Sequence, residues 1–126
     1  MNENELSKVI VSSAIEVHRT LGGPGLLESV YEEALAWELS QLGLKIQRQE
    51  PLPIRYKGQL LATPLRIDLI INELVIVECK STSKYAEVFE AQALTYLRLT
   101  GLRLAIVINF GERFVKDGIH RVVNDL

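Results

Sequence analysis

Residues 65–80 read LRIDLIINELVIVECK, two runs of apolar, mostly β-branched residues on either side of a short polar turn. Such runs are typical of buried strands, and we expect strands from Leu60 to Ile71 and from Leu74 to Lys80, joined at Asn72-Glu73. The succession Val75-Ile76-Val77 predicts a strand that is covered on both faces. This hairpin is therefore the expected centre of the fold.

The chain before the hairpin predicts two helices and an irregular strand. Apolar residues recur at steps of three and four from Leu6 to Val17 and from about Leu26 to Leu42, which indicates two amphipathic helices. The glycine-rich segment 21–25 separates them. After Gly43 we expect an irregular strand from Leu44 to Tyr56, whose two prolines place it at a sheet edge or a bulge.

The chain after the hairpin predicts one more helix and one or two more strands. The helix runs from about Val88 to Gly101, an apolar strand from Leu104 to Ile108, and a closing hairpin or edge strand from Phe114 to Val123. A strand–helix–strand unit pairs its strands in parallel, whereas the first hairpin is antiparallel. We therefore expect one α/β (α+β) domain over residues 1–126, with a central mixed sheet of four to five strands flanked by helices.

The composition limits the classes of protein to which the chain can belong. At 126 residues, 48% hydrophobic and 24% charged, the chain has the size and composition of one globular domain. Its single cysteine excludes an internal disulfide, and no apolar run reaches the ~18 residues that a bilayer requires, so we expect a cytoplasmic protein with no membrane contact. A net charge of −2 argues against a nucleic-acid coat protein, but not against an enzyme that uses bound cations.

Two acidic residues and a lysine interrupt the hairpin strands. Asp68 lies in an apolar strand that has no structural use for a carboxylate, and Glu78 and Lys80 project from one strand face. With a three-residue turn centred on Glu73, Asp68 falls directly opposite Glu78, at a Cβ–Cβ distance of about 4.5–5.5 Å. An ion pair on an exposed strand is the better interpretation of any one of these residues, whereas the three together favour a site.

A divalent cation would relieve the repulsion between two such carboxylates, which otherwise raises the pKa of one of them. Carboxylate oxygens suit Mg²⁺ or Mn²⁺, and such an ion activates water and stabilises charge on a phosphate oxygen. Lys80 would orient or deprotonate the nucleophile. Further candidates lie on helices: Glu28, which could instead favour the helix dipole or a cap, and Gln92 and Tyr96, which could instead form a polar helix flank.

The chain resembles a known group of nucleases. Asp68 with Glu78-Cys79-Lys80 resembles the core of the PD-(D/E)XK nuclease superfamily, and Gly25-x-x-Glu28-x-x-Tyr31 is similar to the signature of the small GxxExxY protein family. The likeness extends through Tyr56-Lys57-Gly58, Gln92-x-x-x-Tyr96-Leu97 and Asn109-Phe110-Gly111.

This resemblance implies a restriction-endonuclease-like core and Mg²⁺-dependent hydrolysis of phosphodiester bonds. The metal ligands that it implies are Glu28, Asp68, Glu78 and the carbonyl of Cys79. The other catalytic residues that it implies are Lys80, Gln92 and Tyr96, the last two supporting the site or contacting DNA.

Other residues are assigned from their surroundings. We expect the Cys79 thiol to be buried and inert on the opposite strand face, Trp37 to lie in the core or an interface, and His120 to lie at the surface without a partner. His18 lies in the last turn of the first helix, where a positive charge favours the helix dipole. Basic residues that could form a rim around the site are Arg19, Arg66, Lys84, Arg98 and Arg103, although solvated charges are the simpler interpretation.

The function that these patterns favour is a metal-dependent nuclease acting on DNA ends, junctions or single-stranded flaps, because so small a domain cannot read many base pairs. The alternative is a non-catalytic binding or assembly module in a larger nucleic-acid-processing complex. A sugar or nucleotide hydrolase fits less well, since no glycine-rich loop follows a strand. A homodimer is compatible with a domain that covers little duplex.

Overall fold

The computed structural model describes residues 1–126 as three helices and seven strands. The helices are α1 (Glu3–Thr20), α2 (Glu28–Gln41) and α3 (Val88–Thr100). The strands are β1 (Ile46–Leu52), β2 (Arg55–Tyr56), β3 (Gln59–Leu60), β4 (Leu65–Ile71), β5 (Val75–Lys80), β6 (Leu104–Asn109) and β7 (Ile119–Val123), and a short 3-10 helix (Val115–Gly118) precedes β7. None of the helices combines the length and the apolar character that crossing a membrane requires.

Five strands form the central sheet, in the order β1-β4-β5-β6-β7, and β2 and β3 form a separate two-stranded hairpin. The strands β5 and β6 that flank α3 pair in parallel, and every other pair in the central sheet is antiparallel. The predicted mixed sheet is therefore confirmed. The closing segment adds β7 as an edge strand rather than as a hairpin of its own.

Helices cover the two faces of this sheet and create two apolar cores. On one face α1 and α2 contribute fully buried residues such as Leu6, Ile10 and Leu35, while on the other face α3 contributes Ala93 and Leu97. Burying a side chain of this size stabilises the fold by about 1.5–3 kcal/mol. Because β5 lies between the two cores, its residues 75–77 are fully buried, as the apolar succession predicts.

The segment between α1 and α2 requires glycine. Gly22 and Gly25 have φ angles of 91° and 119°, a conformation that other residues adopt only with strain. The hydroxyl of Tyr31 donates to the Gly23 carbonyl at 2.7 Å and accepts from the Leu26 amide at 3.2 Å, and its ring stacks on Phe110 at a centroid distance of 4.6 Å. Tyr31 therefore fixes this turn onto the core, and α2 begins two residues later than expected.

The predicted strand from Leu60 to Ile71 is wrong in its first half. Leu60 belongs to β3, which pairs with β2 through a tight turn in which Lys57 and Gly58 have φ angles of 50° and 79°. This short hairpin is exposed and forms its own ladder, and β4 begins only after Pro64, which has no N–H to donate. The predicted strand from Leu44 to Tyr56 is shorter in the structure, from Ile46 to Leu52, and lies at the sheet edge as its prolines predict. Pro51 lies within it opposite Arg66, and Pro53 follows its end.

Candidate active site

The hairpin of β4 and β5 separates where its acidic residues lie. Its ladder pairs Leu69 with Val77 and then ends, and this register, set by a three-residue turn centred on Glu73, places Asp68 opposite Glu78 as predicted. In place of a backbone pair, the Asp68 amide donates to the Glu78 carboxylate at 2.8 Å. The amide that follows Glu78, that of Cys79, donates to the Asp68 carboxylate at 2.8 Å. The two carboxylates thus replace the backbone acceptors that the ladder no longer supplies.

The regular alternation of side chains also breaks at Asp68. Ile67 packs into the core under α3, whereas Leu69, two residues later, packs into the core under α1 and α2. On the neighbouring strand β1, Gln49 falls opposite Asp68 in the register but forms no ladder pair, and its φ angle is 48°. Both strands are distorted at this point, as bulged strands beside active sites often are.

Asp68 opens onto a cleft of about 410 Å³ between the start of α2 and the sheet. The cleft is lined by Glu28, Ser29, Glu32, Arg48, Gln49, Asp68, Cys79 and Lys80. The structure therefore brings Glu28, Asp68, Cys79 and Lys80 together. Glu78 is only 4% exposed and reaches this group through the Asp68 amide.

Negative charge in the cleft is not balanced. Burial, together with the nearby charge of Asp68, raises the pKa of Glu78 to about 8, against the opposing effects of the Asp68 amide and Lys80. Neither Asp68 nor Glu78 forms an ion pair with a lysine or arginine. Such a pair of carboxylates favours protonation or the binding of a cation.

Lys80 lines the cleft, but its ammonium forms no ion pair with a carboxylate. Its ammonium nitrogen lies 4.7 Å from the ring centroid of Phe89 on α3, a cation–π contact. The Phe89 ring contacts Tyr85 edge-on at 5.3 Å, and Tyr85 stacks on His120 at 3.9 Å. The expected surface position of His120 is therefore corrected, because its ring is half-buried on Tyr85, a partner that the sequence did not identify.

A comparison with protein families agrees with this geometry. The family model of the PD-(D/E)XK nuclease superfamily matches residues 4–122. The chain belongs to this superfamily. The fold of a mixed sheet flanked by helices is the one that the superfamily implies. No curated protein and no solved structure matches the chain, and the likeness to the GxxExxY family stays a prediction.

The donor atoms that the resemblance implies are of the kind that divalent cations take. All the predicted donors are oxygens, namely the carboxylates of Glu28, Asp68 and Glu78 and the carbonyl of Cys79. No three His, Cys, Asp or Glu side chains lie close enough to hold an ion together. Mg²⁺ usually takes one or two carboxylates and keeps several waters, so this set suits Mg²⁺ or Mn²⁺ and not a closed zinc site.

Sequence reasoning missed Gln49, which contacts Asp68, and the pair of Glu32 and Arg48 behind it. Gln49 donates its amide N–H groups to Glu32 at 2.7 Å and to Asp68 at 3.3 Å, and Arg48 pairs with Glu32 at 3.2 Å. Burial and the charge of Asp68 raise the pKa of Glu32, while Gln49 and Arg48 act against this shift. One sequence feature could have identified Glu32: it lies four residues after Glu28 and therefore on the same helix face.

The two predicted residues on α3 lie outside the cleft. Tyr96 is 4% exposed within the core under α3, and burial with the charges of Glu78 and Asp68 raises its pKa. Gln92 is exposed and lines no part of the cleft. Tyr96 thus lies near the acidic pair, whereas Gln92 does not share its cleft.

Other expectations are corrected or confirmed by burial and contacts. Trp37 is 60% exposed on α2 and is not a core residue, whereas the Cys79 thiol is buried as predicted. His18 is buried, and its Nε2 donates to the carbonyls of Phe110 and Glu112 at 3.1 and 3.0 Å, because α1 ends against the segment that follows β6. None of Arg19, Arg66, Lys84, Arg98 and Arg103 lines the cleft, which agrees with the simpler interpretation of solvated charges. Arg66 reaches the neighbourhood of the site by donating to the Gln49 carbonyl at 3.4 Å.

Proposed function

We propose that the protein is a Mg²⁺- or Mn²⁺-dependent nuclease that hydrolyses phosphodiester bonds of DNA. The observation that carries the proposal is the meeting of Asp68 and Glu78 where two core strands separate, with no basic partner for either. A purely structural pair of carboxylates in this position would destabilise the fold. The acidic pair is therefore best explained as a site for a cation and a phosphate.

The residues that would hold the metal are Asp68, Glu78, Glu28 and the carbonyl of Cys79. When bound, such an ion lowers the pKa of a water and stabilises negative charge on a phosphate oxygen. Lys80 follows two residues after Glu78 on the same strand face. Its ammonium is held only by the Phe89 ring, so Nζ can turn to donate to a phosphate oxygen or to orient the attacking water.

Two sets of contacts keep the reacting groups in place. On one side Gln49 donates to the Asp68 carboxylate and to Glu32, and Glu32 in turn pairs with Arg48. On the other side the buried Asn109 accepts from the Thr82 amide at 3.1 Å and donates to the Thr82 carbonyl at 3.0 Å, which fixes the chain just after Lys80. Positioning of this kind reduces the entropy lost in reaching the transition state.

The cleft favours DNA ends, junctions or flaps over a defined duplex sequence. Arg48 is the only arginine that lines the cleft, and it is paired with Glu32. Recognition of many base pairs requires an extended basic surface with side chains that reach base edges. Such a surface does not surround this cleft, so we infer that the structure of the substrate decides where cleavage occurs.

The test is cleavage of linear, nicked, forked and single-stranded DNA with Mn²⁺, with Mg²⁺ and with EDTA. We expect metal-dependent cleavage that Lys80→Ala reduces at least roughly 100-fold without loss of folding. The matched control is Lys8→Ala on α1, an exposed lysine far along the chain from the cleft. Equal cleavage by the wild type and Lys80→Ala would show that a contaminant is responsible.

A second candidate function is a non-catalytic module that retains the superfamily fold. The observation on its side is that no three acidic side chains lie close enough to share an ion. Calorimetric titration with Mn²⁺ separates the two candidates. Binding that Asp68→Asn removes supports the nuclease, and absence of heat at every Mn²⁺ concentration supports the module.

A further inference from the structure

A second cavity, separate from the acidic cleft, is lined by basic side chains. It has a volume of about 470 Å³ and lies between the end of α1 and the segment after β6. Arg19, Arg113 and Lys116 line it, and no Asp or Glu does. In a chain whose net charge is −2, this basic groove is a local exception that favours an anionic partner.

Two of the three cations in the basic groove are free to bind. Arg19 is paired with Glu16 at 2.7 Å, whereas Arg113 and Lys116 are exposed and form no ion pair. The guanidinium of Arg113 lies 5.2 Å from the ring centroid of Phe114, and this ring is 54% exposed. An exposed ring beside a guanidinium is a platform on which a nucleobase can stack.

The wall that carries these groups is firmly anchored. His18 Nε2 donates to the carbonyls of Phe110 and Glu112, so the chain is held immediately before Arg113. Val115, directly after Phe114, is buried in the core under α1. The cation and the ring are therefore presented by a fixed segment, which reduces the entropy lost when a ligand orders them.

A polar cavity of about 340 Å³ is lined by residues that adjoin those of the basic groove and of the acidic cleft along the chain, although it shares no lining residue with either. Its wall continues from Lys80 into residues 81–83 on one side and from Gly23 into residues 24–26 on the other. Gly111 completes the wall and approaches the Thr82 backbone so closely that a Cβ atom would lie 2.3 Å from its carbonyl oxygen. The Ser81 hydroxyl on one wall of this cavity donates to the Leu26 carbonyl on the other at 2.7 Å. Walls that carry hydroxyls suit phosphate and sugar oxygens.

From this arrangement we propose that the basic groove binds a single strand of nucleic acid that extends from the acidic cleft. Arg113 and Lys116 contact its phosphates, and Phe114 stacks on one of its bases. A single strand fits better than a duplex, because only an unpaired base can leave its neighbours to stack on a side chain. The proposal rests on the proposed nuclease function, since it names the form of the substrate.

The test measures binding and not cleavage, so that the two proposals fail separately. Fluorescence anisotropy in EDTA compares a labelled single strand with the matching duplex over a range of salt concentrations. We expect the wild type to prefer the single strand. Arg113→Ala with Lys116→Ala should weaken binding roughly tenfold and reduce the slope of log K against log salt by about 1.4, because two phosphate contacts are lost.

Two further variants make the result specific. Phe114→Ala should weaken single-strand binding roughly tenfold and leave the salt slope unchanged, because stacking releases no counterions. The double variant Lys8→Ala with Arg98→Ala removes the same charge at exposed sites outside the groove, and we expect it to bind like the wild type.

Three results would overturn the inference. They are equal binding of duplex and single strand, equal loss in the groove and control double variants, and displacement of the strand by polyglutamate as effectively as by unlabelled DNA. The last result would assign the groove to an acidic protein surface. If DNA is cleaved but the groove variants bind normally, this inference fails and the proposed function stands. If the groove binds a strand but no DNA is cleaved, the proposed function fails instead.

Discussion

The two halves of the β4–β5 hairpin differ although they are made from the same strands. Near the turn, Leu69, Ile70 and Ile71 pair with residues 75–77 in a regular ladder between two apolar cores. Beyond Leu69 the strands separate, and the amides of Asp68 and Cys79 donate to carboxylates instead of carbonyls. The near half is thus stabilised by backbone pairing and apolar packing. In the far half, carboxylates accept the hydrogen bonds of the backbone amides instead.

This difference shows which part of the hairpin lacks the stabilisation of backbone pairing. The charged far half stays attached because β5 remains paired with β6 along its whole length, from Val75 to Lys80. The separation is therefore confined to one side of β5, and the other side keeps Glu78 and Lys80 in fixed positions. Substitutions in the two halves should accordingly affect stability and activity in opposite ways.

The largest effect on stability should come from the near half. Ile76→Ala removes a fully buried side chain from the core under α3, and we expect the free energy of unfolding to fall by about 2–5 kcal/mol. Urea denaturation followed by circular dichroism measures this change. Leu99→Ala, at a half-exposed position on α3, is the control and should cost far less. Similar losses in both variants would contradict the role of this core.

The next largest effect concerns the far half and is a dependence of stability on pH. The pKa of Glu78 is raised to about 8 in the folded protein, so folding favours its protonated form. The wild type is therefore at its most stable, with respect to Glu78, below the pKa of this residue in the unfolded chain. Its free energy of unfolding then falls as the pH rises toward 8. In EDTA, Glu78→Gln should therefore match the wild type near pH 4.5 and exceed it by about 2–4 kcal/mol above pH 8.

Urea denaturation at several pH values gives this comparison, and cleavage by the same variant should be lost. A stability difference that does not depend on pH would mean that Glu78 is not protonated in the folded metal-free protein. Glu33→Gln, an exposed acid on α2, is the control and should leave the pH profile of stability unchanged.

A somewhat smaller effect is expected at the end of β6. Asn109→Ala leaves the Thr82 backbone and the Gly111 amide without their side-chain partner, at a cost of about 1–3 kcal/mol. It should also reduce cleavage, because the chain after Lys80 loses its anchor, and a fall in kcat without a change in KM would indicate this positioning role. Asn124→Ala, which removes one hydrogen bond to Leu102, is the control.

The near half could be predicted from sequence because its apolar pattern is compatible with one structure, a hairpin strand buried on both faces. A strand buried on both faces needs a nearly continuous run of apolar residues, and the turn at Glu73 then determines that Asp68 faces Glu78. The acidic pair was recognisable for the same reason, since a carboxylate within an apolar strand has no structural explanation.

The surroundings of the far half could not be predicted in this way. Gln49 reaches Asp68 only because β1 is distorted at φ 48°, and Glu32 approaches only because α2 crosses the sheet at this point. Neither the distortion nor the crossing leaves a periodic signal. The stacking of His120 on Tyr85 is likewise a contact between distant segments, which one sequence does not encode in any local pattern.

The smallest predicted effect concerns Gln49, which links β1 to Asp68 on β4 and to Glu32 on α2. Gln49→Ala removes its hydrogen bonds to Glu32 and Asp68 and should lower the free energy of unfolding by only about 0.5–1.5 kcal/mol. Because Asp68 loses a donor that orients it, we expect calorimetry to show weaker Mn²⁺ binding in this variant. Gln47→Ala, two residues earlier on β1, is the matched control. A Gln49 variant that keeps its Mn²⁺ affinity would show that the bond from the Cys79 amide is sufficient to hold Asp68, and that the Gln49 side chain is not needed for metal binding.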